Sequence, residues 1–234
     1  MKPLLVLAAF PVVLMGWASC SHSGTGHAAL PDPRAVDKSV PEYKNPFHPS
    51  TYAHFVARKD YRKTYDVYKD DTLLNRQPKK SRKIFVCLDE QRGQYLVDGL
   101  VAMDFPLSSG VKAYPTKTGD YAVISKKEDH TSNLYGKMYD AEGKCINYNA
   151  ESTDPIPEGG RFDGSPMPYW QRLTTAGLGL HVGKVRRHPV SHGCVRLPRN
   201  VAEILYRQTS IGTPVTIRKT PLPVPEAQKV PAVQ

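Results

Sequence analysis

From Arg82 the hydrophobic pattern of this chain becomes that of β-strands, in short apolar runs separated by polar turns. After Arg82 the runs KIFVCLD and GQYLVDG are rich in β-branched and aromatic residues, and the turn-like EQRG separates them. LVAMDFPLSSG follows, then the proline- and glycine-bearing YPTKTG, then DYAVISKKED, which alternates as one strand. RLTTAGLGLHV, residues 172–182, reads as an apolar strand ending at His181, and TPVTIRK as the last strand. One helix is predicted in PRNVAEILYRQTS, with Pro198 near its start, Asn200 as candidate cap, and Val201, Ile204 and Leu205 on one face. The alternation fails between 130 and 168, where Gly, Asp and Asn abound and apolar residues are scattered. A loop of that length inside a compact domain is usually functional, here a lid or substrate rim. The pattern is that of a mainly β domain over residues 82–220, with one or two short helices.

The flanks read differently. Lys2 precedes an uncharged apolar run from Pro3 to Ala18. That run is short for a membrane span of about 20 residues and suited to a secretory signal over residues 1–20. Ala18-Ser19-Cys20 resembles the end of a bacterial lipoprotein signal, with Trp17 departing from the usual aliphatic residue. Cys20 would then bear a lipid that anchors a soluble domain to a membrane. The expected destination is the periplasm, as an exported, membrane-anchored lipoprotein. Residues 21–50, polar and proline-bearing, are expected to form a disordered tether. Residues 51–81 interleave Tyr52, Tyr61, Tyr65 and Tyr68 with basic residues. Such interleaving can stack on nucleic acid, but an exported protein rarely meets it, so no nucleic-acid partner is expected. The segment reads as a lead-in packing its aromatics on the main domain. The proline-rich tail at 221–234 is expected to be mobile.

Composition adds bounds. The 40% apolar fraction supports a globular core, and 21 prolines with 17 glycines favour turns over long helices. A net charge of +10 suits an anionic partner without choosing among nucleic acid, anionic membrane and acidic polymer. Export permits disulfides. With Cys20 and Cys194 given other roles, Cys87 and Cys145 are the pair left, and sequence does not supply their separation.

The chemistry concentrates in HVGKVRRHPVSHGCVRLP, residues 181–198, which gathers His181, His188, His192 and Cys194. Lys184, Arg186, Arg187, Arg196 and Arg199 surround the cysteine, and no acidic residue occurs between Asp163 and Glu203. This cationic setting predicts a thiol of lowered pKa, because neighbouring positive charge stabilises the thiolate. Gly193 lets the backbone turn sharply, so that N–H groups beside the sulfur can converge on a developing oxyanion. A strand ending at His181, and a short loop returning Cys194 to it, bring base and nucleophile onto adjacent elements. A lone cysteine is more often a small buried hydrophobe; the SHGC context with its upstream histidine argues otherwise. His188 reads as an exposed loop residue. A zinc set of His181, His188, His192 and Cys194 is disfavoured, because a single glycine separates His192 from Cys194 and no second pair is at hand. Neither metal nor cofactor is expected.

SHGCVRLP at 191–198, with His181 in LHVG, resembles the active-site signature of the L,D-transpeptidase catalytic domain, the YkuD family. The likeness extends through PTKTGDY at 115–121, DHTSNLYG at 129–136 and MPYWQRL at 167–173, and covers roughly residues 82–220. The chain departs from the pattern in its short histidine-to-cysteine gap and in Arg187, where related sequences often have glycine. The resemblance implies a β-sandwich domain that crosslinks peptidoglycan. In the family a cysteine attacks the peptide bond after the third residue of a tetrapeptide stem and expels D-alanine. An amine of a second stem, a protein lysine such as that of a lipoprotein, or water then resolves the thioester. It further implies Cys194 as nucleophile, His181 as base oriented by a backbone carbonyl, and the amides of His192, Gly193 and Cys194 as oxyanion hole. Substrate-binding roles are implied for Arg196, Ser191 and Tyr169. Water as acceptor would make the protein a carboxypeptidase or endopeptidase, an alternative the residues leave open. An inactive wall-binding module is the third class, and the presence of both reactive residues weighs against it.

Overall fold

The computed structural model describes residues 29–77 and 81–232. In chain order the elements are α1 (Tyr52–Ala57), β1 (Tyr68–Lys69), α2 (Asp71–Asn75), β2 (Arg82–Cys87), β3 (Arg92–Val97) and β4 (Leu100–Pro106). Then come β5 (Gly119–Ala122), β6 (Ser125–Lys127), β7 (Thr131–Tyr139), β8 (Cys145–Glu151) and β9 (Arg161–Pro166). The last are β10 (Trp170–Arg172), β11 (Gly179–Val182), β12 (Val195–Leu197), α3 (Arg199–Gln208) and β13 (Pro214–Arg218). A six-stranded sheet has the order β1-β4-β3-β2-β13-β5, a four-stranded sheet β12-β11-β10-β6, and a three-stranded sheet β8-β7-β9. The fold is mainly β, with helices that are few and short.

The core lies between the first two sheets. Ile84, Val86, Tyr95, Val97, Met103, Phe105, Val215 and Ile217 come from the six-stranded sheet. They meet Leu180, Val195 and Leu197 of the four-stranded sheet and Val201, Ala202 and Leu205 of α3. Each such side chain contributes about 1.5–3 kcal/mol by leaving water. The apolar runs after Arg82 therefore form the sheet that the site is built against, with strands buried at nearly every position.

Several expectations need correction. Residues 130–168 are not a loop but contain the sheet β8-β7-β9. Most positions on its strands are exposed or half-exposed, so neither face imposes an apolar period. DYAVISKKED is two strands, β5 and β6, in different sheets; the chain crosses over at the buried Val123. RLTTAGLGLHV is likewise a hairpin, β10 and β11, because Thr174–Gly177 makes a turn. Pro198 stands at the N-cap of α3 without a side-chain bond, and Asn200 lies inside the first turn.

Residues 31–50, expected to be tether, are packed over the domain. Phe47 is fully buried and bridges to Pro231, and Arg34 reaches Glu90 and the Leu222 carbonyl. The tail, expected to be mobile, is held: Gln228 donates to the Val101 carbonyl at 2.9 Å and accepts from its amide at 2.8 Å. Isolated anchors on extended chain leave no periodic trace, which is why sequence hid both. Residues 1–28, Cys20 among them, lie outside the described residues. Among the described residues no helix is long and apolar enough to cross a membrane.

Candidate active site

The parallel pairing of β11 with β12 builds the site: Leu180 opposes Val195, and His181 opposes Arg196. Side chains alternate along a strand, so Leu180, Val195 and Leu197 face the core while His181 and Arg196 face away. Cys194, immediately before β12, continues the second set. Trp170 and Arg172 of β10 join the same face, with the Trp170 ring 5.9 Å from that of His181. These residues line a cavity of about 760 Å³ whose far wall is made by β7, β8 and β9, including Tyr135 and Tyr148.

The turn before Cys194 is tightly specified. Gly193 has φ +110°, which side-chain-bearing residues rarely adopt, and a Cβ on Gly110 would meet its Cα at 2.8 Å. Thr116 Oγ1 donates to the Gly193 carbonyl at 2.6 Å and accepts from the Gly110 amide at 2.8 Å. Ser191 Oγ donates to the Cys194 carbonyl at 2.5 Å and accepts from the Gly193 amide at 3.2 Å. The exposed His192 ring stacks on Tyr135 with centroids 4.4 Å apart and leans on Tyr114 at 4.7 Å. The cysteine turn is thus joined to the wall opposite it.

His181 is 6% exposed, and its Nδ1 lies 2.8 Å from the Val182 carbonyl. A carbonyl only accepts, so Nδ1 carries the proton and Nε2 keeps its lone pair. Burial pushes the imidazole pKa down to about 4, with the charge of Arg196 acting in the same direction. Burial also raises the Cys194 thiol, against weaker lowering by the Gly179 amide, Arg196 and Arg172. Its Sγ donates to the Gly177 carbonyl at 3.3 Å. The expected acidic thiol is therefore corrected: desolvation outweighs the cations, and thiol and imidazole both rest neutral in the one cavity they line. Most of the cations counted in the sequence face elsewhere. Arg186 and Arg199 are exposed and outside the cavity, Arg187 points away toward residues 61–64 and Glu90, and of the rest Lys184 lines the cavity with Arg196.

Residues 81–217 match the YkuD family, the L,D-transpeptidase catalytic domain. The chain belongs to this family. Probable L,D-transpeptidase 3 of Mycobacterium tuberculosis is 31% identical over 121 residues, 49% of this chain and 38% of that protein's length. The solved L,D-transpeptidase from Mycobacterium smegmatis is similar at 22% identity and TM-score 0.45, covering 58% of each chain. The catalytic domain of the E. faecium L,D-transpeptidase is similar at 28% identity and TM-score 0.43, covering 59% of this chain and 98% of that one.

Within this YkuD domain the residues expected from sequence divide. Cys194, His181 and Arg196 share the cavity, and the half-buried Arg196 guanidinium has no hydrogen-bond or ion-pair partner among the described residues. Of the three amides expected in an oxyanion hole, that of Gly193 is taken by Ser191 Oγ. Those of His192 and Cys194 have no acceptor among the described residues. Ser191, expected to bind substrate, lines the same cavity, but it is 2% exposed and its hydroxyl bonds within the turn. Tyr169 does not line the cavity: one residue before Trp170, it falls on the other side and packs edge-on to Tyr206 of α3. His188 is exposed. Cys87 and Cys145 are free and stand in different sheets, and burial pushes the Cys87 thiol up to about 11. Sequence reasoning gave no role to Trp170, Tyr135, His130 or Arg172. Their only signal was membership of the segments DHTSNLYG and MPYWQRL.

Proposed function

We propose that the protein is a cysteine-dependent L,D-transpeptidase acting on peptidoglycan stem peptides. The observation that carries this is the pairing that sets Cys194, His181 and Arg196, unpartnered among the described residues, on one face of one cavity. His181 Nε2 takes the thiol proton as Sγ attacks the carbonyl carbon after the third stem residue. The amides of His192 and Cys194 receive the tetrahedral oxyanion, each donor worth about 3 kcal/mol of barrier. The imidazolium then protonates the departing D-alanine amine, and a thioester remains on Cys194. An incoming amine attacks the thioester, His181 takes its proton, and the sulfur leaves and is reprotonated. Arg196 meets a stem carboxylate, which supplies the anion its position lacks. Because both partners start neutral, the proton moves during the attack rather than before it.

The acceptor is a second stem or a protein amine. The exported, lipid-anchored location at Cys20 rests on the sequence alone and is proposed with it; radiolabelled lipid incorporation lost in Cys20→Ala checks it. The catalytic reading is tested by incubation with a tetrapeptide stem, or with a carbapenem as acylating probe, followed by intact mass. The expected adduct sits on Cys194 and is absent in Cys194→Ala. Crosslinked 3→3 dimers support transfer, whereas tripeptides alone make the protein a hydrolase. No adduct on folded wild-type protein overturns the reading.

A further inference from the structure

The loop from Gly183 to Val190 connects the base to the nucleophile, and its hold on the domain is uneven. Near its ends, Gly183 donates to the Leu197 carbonyl at 3.0 Å, Arg186 N–H to Ser108 Oγ at 2.8 Å, and Val190 N–H to the Ser109 carbonyl at 2.8 Å. Between them the backbone amides of Arg187 and His188 have no partner among the described residues. What grips the middle is a side chain. Arg187 Nη1 donates to the Thr64 carbonyl at 2.8 Å and lies 3.5 Å from that of Tyr61, and Nη2 donates to the Glu90 carbonyl at 3.0 Å.

These acceptors are themselves fixed. Arg92 donates to the carbonyls of Thr64 and Asp66 at 3.1 and 2.9 Å and to the buried Asp104 carboxylate. Tyr52 and Tyr61 donate to the same carboxylate at 2.7 and 2.9 Å. Arg34 holds the Glu90 side chain with two bonds of 2.7 and 2.8 Å. Arg187 adopts φ +55°, a backbone region that favours glycine and strains other residues. The backbone at this position would be easier without a side chain, and its Nε is buried without a partner. A long cationic side chain kept under those penalties has its function at its tip.

We propose that Arg187 is a positioning residue that ties the loop between His181 and Cys194 to the segment 61–64, so that the chain preceding the family domain sets the rate of acylation. The inference rests on the acyl-enzyme reading above. Arg187 touches no substrate and acts through the turn that presents the His192 and Cys194 amides.

The test compares Arg187→Gly and Arg187→Lys with the wild type. Glycine keeps the backbone conformation and removes the tie; lysine keeps one donor. Two rates are read by mass at Cys194: acylation by a carbapenem, which needs the oxyanion amides, and alkylation by iodoacetamide, which does not. For Arg187→Gly, acylation falls at least about 10-fold, since a full ångström of misplacement can cost about 10²-fold. Alkylation changes by less than about 3-fold, the melt stays cooperative, and amide exchange at 185–193 quickens. Arg187→Lys recovers part of the acylation rate. Acylation by Arg187→Gly at the wild-type rate overturns the proposal. So does loss of both the cooperative melt and selective alkylation, which would make the tie a requirement for folding instead. A folded wild type that takes no adduct refutes the catalytic reading and this inference with it.

Discussion

Two buried polar centres in this protein treat charge in opposite ways. Around Asp104, which is fully buried, every carboxylate demand is met: Arg92, Gln94, Tyr52 and Tyr61 all donate to it. Around Cys194 burial has instead removed charge, leaving thiol and imidazole neutral, with two amides and the Arg196 guanidinium uncommitted among the described residues. The first centre satisfies its carboxylate without a ligand, though the Gln94 Oε1 beside it is buried without a partner, and it holds the N-terminal segment to the sheet. The second is left unfinished, and what it lacks is an anion. Saturation marks a structural polar site; withheld partners mark a reactive one.

The comparison can be broken most severely at the reactive centre. Cys194→Ala is expected to lower acylation by at least about 10⁴-fold, and His181→Gln by about 10³-fold, both read by intact mass over time. Neither should move unfolding in urea by more than about 1 kcal/mol. At the saturated centre the pattern inverts. Asp104→Ala strands the buried Arg92 and should cost about 3–5 kcal/mol in urea unfolding. A loss under about 1 kcal/mol would show that the cluster does not fasten the segment.

The protonation states give a subtler check. His181 has a folded pKa near 4, below its unfolded value, so the unfolded chain binds the extra proton between about pH 6.5 and 4. Stability should fall by up to about 3 kcal/mol as pH drops through that window and level off below it. His181→Gln should remove this part of the pH dependence, seen by comparing urea midpoints at each pH. The raised thiol predicts in turn that ultraviolet thiolate absorbance from Cys194 is lacking at neutral pH, with Cys194→Ala as the blank. Absorbance already present near pH 6 would restore the acidic thiol that the cationic sequence setting suggested. The smallest effect belongs to Tyr169→Phe, expected to leave KM for a stem peptide within about 2-fold because the ring packs on Tyr206.

What could be read in advance follows from how each part is buried. Strands β2, β3 and β13 place apolar side chains in one core, so Ile84, Val86, Tyr95 and Ile217 left a legible pattern. The sheet of β7, β8 and β9 has mostly wet faces, and its strands looked like loop. His181 and Cys194 stood out because the reaction proposed above needs those residue types. The direction of the thiol's shift did not, because counting charges along a chain ignores desolvation and where each cation points. Arg187 shows this best: adjacent to the site in sequence, its guanidinium serves residues 61–64 and Glu90. Tyr169, expected to bind substrate, stands one residue before the cavity-lining Trp170 and packs on Tyr206, a placement the motif MPYWQRL does not reveal.

The packing of Phe47 beside Pro231 bears on where this enzyme can be cut. A fragment trimmed to residues 81–217, the span its relatives share, would discard Arg34, Tyr52 and Tyr61 from one end and Gln228 from the other. Its Asp104 would lose both phenol donors, and its cysteine loop would lose the carbonyl of Thr64. The catalytic fragment worth expressing starts at Pro31 and keeps its C-terminal arm.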